Sequence, residues 1–347
     1  MSDLAALPPQ TAGVPWPTDT WPEAPPGPGV DAARIDKTLD RLFAEPPEGG
    51  ALESGETRSV LIAHRGRVVV ERYGPELGPD SPFPSWSCAK SILHALVGIL
   101  VSQGKLEVHS PADVPEWQGD GRKDITLDAL LRMSSGLAFN EDYVDTEGSD
   151  AIRMLFGEGK EDVSAYAAAK PLAHDPDTFF SYSSGTSNVV SSIVRRALGV
   201  DESGYREFMH RELFDRLGMR SVDPRFDASG TFIGSSFVFA TARDFARFGL
   251  LYLRDGIWEG RRILPEGWVD YARTPTPTDP EASYGAHWWL AQDGSPIFNA
   301  SGYKGQYIVV VPDRDLVLVR TGDSEPEQRG AVLRALAELV RCFGRSV

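Results

Sequence analysis

The sequence predicts an α/β (α+β) fold in which an antiparallel sheet is flanked by helices and interrupted by an inserted helical lobe. Near the amino end, residues 59–64 and 67–73 carry strand patterns joined by an Arg-Gly turn, which is typical of a hairpin. The signals from residue 93 to about residue 280 are mostly helical. Strand patterns return at residues 287–291, 306–311 and 315–321. If the strands of both ends form one sheet, the middle of the chain becomes the inserted lobe.

The same patterns divide the chain into an arm and a single domain. Residues 1–30 hold many of the 26 prolines, which predicts an extended arm that lies along the body. Residues 31–347 are predicted to form the domain. Its sheet part is expected at about residues 31–98 and 285–347, and its helical lobe at about residues 99–284. Helical periodicity at residues 31–43 and 327–342 predicts a helix near each end of this domain.

Composition and charge exclude several functional classes. With 41% hydrophobic and 24% charged residues among 347, the chain can bury a full core. Its formal charge of −15 argues against nucleic acid or an anionic membrane as partner, because both would be repelled. The two cysteines, Cys88 and Cys342, supply neither a disulfide framework nor a metal cluster. Without an export signal or a run of eighteen apolar residues, the chain is expected to be cytoplasmic.

A serine and a lysine stand one helical turn apart where an apolar helix is predicted to begin. Ser87 and Lys90 follow Pro84 and precede apolar residues at helical spacing. Positions i and i+3 share a helix face, so the lysine ammonium can lie against the serine hydroxyl and favour its ionisation. The first turn of a helix also favours developing negative charge. The pattern is typical of an acyl-transferring serine hydrolase, and a purely structural helix start is the alternative.

The same spacing occurs at two other places, and context distinguishes them. Ser102 and Lys105 close an apolar run with a glycine between them, which is typical of a helix end. Ser301 and Lys304 precede a strand pattern, where i and i+3 point to opposite faces. Ser87 is the candidate that opens a helix.

Two later segments supply candidate partners for Ser87. Tyr182 and Ser184 precede an apolar helical run, and a tyrosine near a lysine ammonium can lose its proton more easily and act as a base. A serine-rich helix cap is the structural alternative. Residues 299–307 place glycines before a strand, where the backbone can approach a carbonyl group and donate an N–H to it. The entry to a hairpin is the alternative for this second segment.

Taken together and in this order, the three segments resemble the serine β-lactamase and penicillin-binding-protein superfamily, which carries a Ser-x-x-Lys motif. Within it, the chain looks most like the class C β-lactamases and their esterase and amidase relatives, particularly the 6-aminohexanoate-dimer (nylon oligomer) hydrolases. Residues 140–145, Asn-Glu-Asp-Tyr-Val-Asp, match a substrate-loop segment of that group, and residues 241–249 resemble a helix of the family. The resemblance covers roughly residues 30–347.

The resemblance implies a β-lactamase/transpeptidase-like fold with its site where the sheet part meets the helical lobe. It implies that Ser87 is acylated, that Lys90 activates it, and that Tyr182 is first the base and then the acid toward the leaving group. The oxyanion hole would use the backbone N–H groups of Ser87 and Tyr303. The residues expected to contact the substrate are Tyr143, Ser184, Ser301 and Gly302.

Departures from the family pattern bear on the substrate. The Lys-Thr-Gly segment of the superfamily is absent, and residues 300–302 stand near its place, so the cation that would bind a β-lactam carboxylate is missing. Lys304 is nearby and is interpreted as a solvated side chain. The acidic residue that favours the amino end of the nylon dimer has three candidates, namely Asp145, Glu147 and Asp150.

Other catalytic plans find no support in the sequence, which lacks Gly-x-Ser-x-Gly, His-Glu-x-x-His and a Gly-rich phosphate loop. We predict a serine hydrolase without metal or cofactor that forms an acyl-enzyme at Ser87. Its small-molecule substrates would be short-chain carboxylic esters, with linear amides as a further class. The alternatives are a D-aminopeptidase or β-lactamase-like peptidase, and a catalytically silent binding protein of the same fold. The sequence leaves a homodimer open.

Overall fold

A computed structural model describes residues 4–46, 50–143 and 148–345 of the chain. The helices are α1 (Ala32–Leu42), α2 (Ala89–Ser102), α3 (Leu127–Leu131), α4 (Asp150–Phe156), α5 (Val163–Ala168), α6 (Ser184–Leu198), α7 (Glu202–Met209), α8 (Asp215–Leu217), α9 (Ala242–Leu253), α10 (Trp268–Ala272) and α11 (Arg329–Arg341). The strands are β1 (Glu56–His64), β2 (Arg67–Tyr73), β3 (Phe83–Pro84), β4 (Asp223–Pro224), β5 (Val238–Ala240), β6 (Ile257–Trp258), β7 (Arg261–Arg262), β8 (Trp289–Leu290), β9 (Phe298–Gly302), β10 (Gln306–Val311) and β11 (Leu316–Asp323).

The main sheet joins strands from both ends of the chain, in the order β2-β1-β11-β10-β9-β8 within the described residues. Antiparallel pairing connects β1 with β2 and β11, and it connects β10 with β9 and β11. Helices α2 to α10 come between β2 and β8 in the chain, together with a small three-stranded sheet (β3-β5-β4) and a two-stranded one (β6-β7). The structure thus confirms the predicted fold class, in which one antiparallel sheet receives strands from both ends of the chain.

Both faces of the main sheet are covered, and strand alternation decides which side chain enters which layer. Val60 and Ile62 of β1 pack with α1 and α11, whereas Leu61 and Ala63 pack in the cluster that contains α2 and α9. All residues of β10 are buried. A strand that is buried on both faces needs apolar residues at successive positions, which explains the continuous apolar run that revealed β10 in the sequence.

The predicted and observed strand bounds differ most for β8 and β9. The strand expected at residues 287–291 is shortened to β8, because His287 adopts a φ of 55°, outside the strand region. Strand β9 lies in the segment interpreted as a hairpin entry. Its half-buried positions, Asn299 and Ser301, alternate with buried ones, but the segment is short and has few residues of high strand propensity, so it did not stand out in the sequence.

The proline-rich segment before α1 is attached to α9 by polar contacts. The carbonyl oxygen of Pro17 accepts a hydrogen bond from Arg247 at 2.7 Å, and Arg247 is paired with Asp244 at the same distance. The indole N–H of Trp21 donates to the carbonyl oxygen of Arg243 at 3.1 Å. Because Trp21 and Arg247 are both buried, these contacts hold the segment against the helical lobe.

Candidate active site

Ser87 lies in a tight helical turn that leads into α2. The turn spans Trp86–Cys88, and Trp86 adopts a φ of 44°, in the left-handed region that residues other than glycine rarely occupy. Ser85 holds this strained backbone in place. Its N–H donates to the carbonyl oxygen of Val238 at 2.8 Å, and its hydroxyl accepts the N–H of Val238 at 3.0 Å. The predicted helix start is present, and backbone strain is stored directly before the candidate nucleophile.

Lys90 lies behind Ser87 and is almost completely buried. Its side-chain nitrogen donates to the Ser87 hydroxyl at 3.0 Å, to the Ser184 hydroxyl at 3.1 Å and to the Ser235 carbonyl oxygen at 2.9 Å. A charged lysine has three hydrogens to donate, and this arrangement uses all of them. Burial lowers the pKa of Lys90 to about 8, and the nearby Glu141 carboxylate opposes that change. At mildly alkaline pH the side chain is therefore close to its titration midpoint.

Tyr182 packs against Lys90 and reaches Ser87. The Lys90 nitrogen lies 4.9 Å from the centroid of the Tyr182 ring, and Tyr182 lines the same cavity as Ser87. Burial raises the pKa of Tyr182, and the charge of Glu141 raises it further, against the opposing effect of the nearby Ser87 hydroxyl. This differs from the expectation that the lysine would ease loss of the phenol proton, because burial dominates. At neutral pH Tyr182 is a neutral proton donor.

Glu141 completes the buried network, although the sequence analysis did not single it out as a site residue. One of its carboxylate oxygens accepts the backbone N–H of Ser184 at 2.7 Å, and the other accepts the Ser184 hydroxyl at 2.5 Å. The Tyr143 hydroxyl donates to the same carboxylate. Since Ser184 is the first residue of α6, the carboxylate lies at the positive end of that helix. The available signal was its place two residues before Tyr143 in the loop segment.

The end of β9 brings Tyr303 beside the turn that holds Ser87. A Cβ built on Gly302 would lie 2.3 Å from the carbonyl oxygen of Ser85, so only glycine allows this approach. The rings of Trp86 and Tyr303 consequently meet edge to face, with centroids 5.5 Å apart. The backbone N–H groups of Ser87 and Tyr303 therefore come from neighbouring segments, which is the arrangement that an oxyanion hole needs.

Two cationic side chains of the described residues line a cavity beside Ser87, and they differ in the groups that they contact. Lys304 pairs with Asp323 at 3.1 Å and also with Glu325, so it is engaged by carboxylates rather than simply solvated. Arg329, at the start of α11, lines the same cavity and has no carboxylate within ion-pair distance in the described part of the chain. The sequence analysis did not identify Arg329 as a cleft residue, because its place there depends on the docking of α11.

A larger and a smaller cavity meet at Ser87. The larger has a volume of about 370 Å³ and the smaller about 210 Å³, and Ser87, Tyr143 and Tyr303 line both. The Tyr143 and Tyr303 rings stack at a centroid distance of 5.4 Å, so this tyrosine pair stands between the cavities. Lys90 and Ser184 lie behind Ser87. The predicted site residues that line the larger cavity are Ser87, Tyr143, Tyr182, Ser301, Gly302 and Tyr303.

The acidic candidates for binding a substrate amine do not all fall in the described part of the chain. Asp145 and Glu147 lie outside the described residues. Asp150 accepts a hydrogen bond from the Tyr166 hydroxyl at 2.7 Å and pairs with Lys170. Its charge is therefore used within the helical lobe, and neither cavity at Ser87 is lined by Asp150.

His287 is buried behind α2 and stays neutral. Its Nδ1 lies 2.9 Å from the carbonyl oxygen of Lys90, and burial lowers its pKa to about 3. Across the described ranges, no group of three or more His, Cys, Asp or Glu residues could hold a metal ion. No helix in those ranges combines the length and apolar character needed to cross a lipid bilayer.

Comparison with known proteins finds one family model and several similar folds. The β-lactamase family model matches residues 39–341. A 6-aminohexanoate-dimer hydrolase of Paenarthrobacter ureafaciens is 28% identical over 326 residues, covering 88% of this chain and 82% of that protein. A Bacillus anthracis structure provisionally described as a 6-aminohexanoate-dimer hydrolase superimposes with a TM-score of 0.74 at 20% identity, covering 97% of this chain and 90% of that one. A family VIII carboxylesterase superimposes with a TM-score of 0.68 at 15% identity, covering 92% and 99%.

Proposed function

This chain belongs to the β-lactamase family of hydrolases, and we propose that it cleaves short-chain carboxylic esters, with linear amides as a further class, through an acyl-enzyme at Ser87. The observation that carries the proposal is the buried lysine that contacts the Ser87 and Ser184 hydroxyls at once. A buried lysine with a lowered pKa beside a serine hydroxyl is a base next to a nucleophile.

Acylation begins with proton transfer from Ser87 to Lys90. When Lys90 is neutral, the Ser184 hydroxyl and the Ser235 carbonyl oxygen accept its two N–H groups, and its lone pair faces Ser87. As the Ser87 oxygen attacks the carbonyl carbon of the substrate, its proton moves to the lysine nitrogen. The negative charge that develops on the carbonyl oxygen is accepted by the backbone N–H groups of Ser87 and Tyr303.

Tyr182 supplies the proton that the leaving group needs. As a neutral phenol in the cavity that Ser87 also lines, it donates to the departing oxygen or nitrogen and is reprotonated from Lys90, which lies against its ring. Water then attacks the acyl carbon, its proton moves to the same base, and the Ser87 oxygen leaves with a proton. The proton that Ser87 loses in the first half departs with the leaving group, and a proton from the attacking water restores the Ser87 hydroxyl in the second.

One observation favours a peptidase-like alternative. Arg329 offers a guanidinium group to the larger cavity, where the leaving group must lie to reach Tyr182. Arginine is well suited to bind a carboxylate, and peptides and β-lactams carry one. A D-aminopeptidase or β-lactamase-like peptidase therefore stays the second candidate, and hydrolysis of D-alanyl dipeptides and nitrocefin tests it directly.

The proposal is tested by labelling the protein with a fluorophosphonate and weighing it intact, alongside hydrolysis of p-nitrophenyl acetate. One adduct is expected on the wild type and none on Ser87→Ala, which should also lose turnover. Ser102→Ala is the matched control, because Ser102 belongs to another Ser-x-x-Lys segment, at the far end of α2. Adduct formation and turnover that survive in Ser87→Ala would refute Ser87 as nucleophile. A wild type with neither would favour a silent binding protein.

The cytoplasmic location predicted from the sequence stays a prediction, and the homodimer that the sequence leaves open stays open; both belong to the same proposal. Fractionation of the native cells tests the location. Light scattering of the purified chain at several concentrations tests the dimer.

A further inference from the structure

We propose that the smaller cavity at Ser87 is the acyl-group pocket and that it selects uncharged, apolar acyl groups of up to about eight carbon atoms. The inference rests on the proposed acyl-enzyme at Ser87 and adds the class of substrate to it. It follows from the position of the proton donor, the lining of the cavity, its volume and the orientation of α4.

The position of Tyr182 decides which cavity holds which half of the substrate. Tyr182 lines the larger cavity and not the smaller one. The leaving group has to reach the Tyr182 hydroxyl, so it occupies the larger cavity. The carbonyl carbon lies at Ser87, where the cavities meet, and the acyl chain therefore extends into the smaller cavity.

The lining of the smaller cavity is apolar. Beside Ser87, it consists of Trp86, Tyr143, Tyr303 and Ser236, together with four residues of α4, namely Ala151, Ile152, Leu155 and Phe156. No described residue of this lining carries a charge. Phe156 is 57% exposed, an unusual state for a large apolar side chain, and its ring lies 5.9 Å from that of Phe237. Contact with the acyl chain of a substrate would cover this exposed ring.

The volume limits the length of the acyl group. A dry cavity of about 150 Å³ in another protein admits benzene, which has six carbon atoms. By the same proportion, the 210 Å³ of this cavity accommodates an apolar group of roughly eight carbon atoms. Acetate would leave most of the pocket unfilled, and chains beyond about ten carbons would extend past Phe156 into water.

The orientation of α4 makes the pocket unsuited to an acyl chain that ends in a positively charged group. Residues 151, 152, 155 and 156 share one helix face and line the pocket. Asp150, on the same helix, is instead bound to Tyr166 and Lys170. An ammonium group placed in this pocket would lose water without gaining a carboxylate from the described residues, which is strongly unfavourable. A 6-aminohexanoyl group should therefore be a much poorer acyl donor than a hydrocarbon chain of equal length.

The first experiment measures kcat/KM for p-nitrophenyl esters from acetate to dodecanoate, with Ser87→Ala protein as the blank. Burying each added methylene should raise kcat/KM by up to about fourfold, until the pocket is full near octanoate. A second comparison uses p-nitrophenyl heptanoate and p-nitrophenyl 6-aminohexanoate. Their acyl chains have the same length, but the first ends in a methyl group and the second in an ammonium group. Heptanoate should be preferred by at least about tenfold.

Variants locate the effect in the pocket. Phe156→Ala should lower the octanoate-to-acetate ratio of kcat/KM, because it removes the outer wall. Phe179→Ala is the matched control: Phe179 is also an exposed phenylalanine, but it stacks on His174 and lines neither cavity. Ile152→Asp adds a carboxylate to the pocket and should shift preference toward the 6-aminohexanoyl ester. Circular dichroism and thermal melting verify that each variant is folded.

The outcomes separate this inference from the function on which it rests. Ser87-dependent hydrolysis with no dependence on chain length would overturn the pocket and leave the hydrolase intact. Equal rates for heptanoate and 6-aminohexanoate would overturn its apolar selectivity. If no ester is hydrolysed in a Ser87-dependent way, the proposed function itself fails.

Discussion

The wall behind Ser87 and the wall in front of it are built in different ways. Behind it, Lys90 and Ser184 are almost completely buried, and their hydrogen bonds form one network with Glu141. In front, Tyr143 is 39% exposed and is held by a stack on Tyr303 and by its bond to Glu141. The groups that move protons are fixed by burial, while a group that meets substrate comes from a loop. The groups that need precise proton geometry are thus held by buried, hydrogen-bonded neighbours.

The largest effect is expected from the rear wall, in Lys90→Met. The variant keeps the oxyanion donors but removes the base, so kcat/KM on p-nitrophenyl acetate should fall by about 10³- to 10⁴-fold. Steady-state kinetics and thermal melting of the same sample separate lost chemistry from lost fold. Lys105→Met, at the end of α2, is the control and should stay near wild type. A Lys90→Met enzyme with more than a tenth of the wild-type rate would remove the lysine from the mechanism.

Tyr182→Phe is expected to rank second. The phenol hydroxyl is the proton donor to the leaving group, so its loss should lower kcat/KM by roughly 10²- to 10³-fold on esters and by more on amides. Because p-nitrophenolate leaves without being protonated, the measurement is kcat/KM on an alkyl ester such as ethyl butyrate, whose departing oxygen must gain a proton. An unchanged kcat/KM on that ester would show that Tyr182 acts only as a packing partner of Lys90.

Glu141→Gln tests whether the carboxylate behind Ser87 controls the pKa of Lys90. Because Lys90 must be neutral to accept the Ser87 proton, wild-type kcat/KM should rise with pH through about 8, the pKa of Lys90, and then level off. The Glu141 charge holds that pKa up, so its removal should move the rising limb to lower pH. Loss of the charged hydrogen bonds should also lower the plateau by roughly tenfold.

The measurement is kcat/KM against pH from 5.5 to 10 on p-nitrophenyl acetate, corrected for spontaneous hydrolysis. Glu158→Gln is the charge-matched control, since Glu158 is exposed and pairs with Arg153 in the lobe. If kcat/KM of Glu141→Gln rises with pH at the same midpoint as the wild type, the carboxylate has no influence on the pKa of Lys90.

The smallest effect is expected from the front wall, in Tyr143→Phe. The ring can still stack on Tyr303, so ester hydrolysis should fall only about twofold to threefold. Amides depend more on hydrogen bonding to the departing nitrogen and should lose more. Comparing p-nitrophenyl acetate with p-nitroacetanilide measures this difference. Equal losses on both substrates would make Tyr143 a packing residue and weaken the contrast between the walls.

The sequence predicted what is local. Ser87 and Lys90 are neighbours on one helical turn, so their contact follows from spacing alone. The central strands were visible because β10 and most of β11 are buried on both faces and read as apolar runs. Strand β9 was not recognised, since its five residues include Asn, Ala and Gly, which have low strand propensity.

Contacts between distant segments could not be predicted in the same way. The bond between Glu141 and Ser184 joins residues 43 positions apart, and nothing in either segment announces it. The raised pKa of Tyr182 depends on burial, which the expectation of an easily lost proton did not include. The apolar face of α4 is short and becomes informative only when the structure turns it toward Ser87.

The order of strands in the main sheet also governs how the chain can be synthesised. Strand β1 lies between β2 and β11 in the sheet, but β11 begins only at Leu316, after the whole helical lobe. On the ribosome, the β1–β2 hairpin therefore has an unpaired apolar edge until the segment between β2 and β11 has emerged. Closure of the sheet is a late event of high contact order, and a nascent chain that stalls in the lobe exposes an edge ready to aggregate.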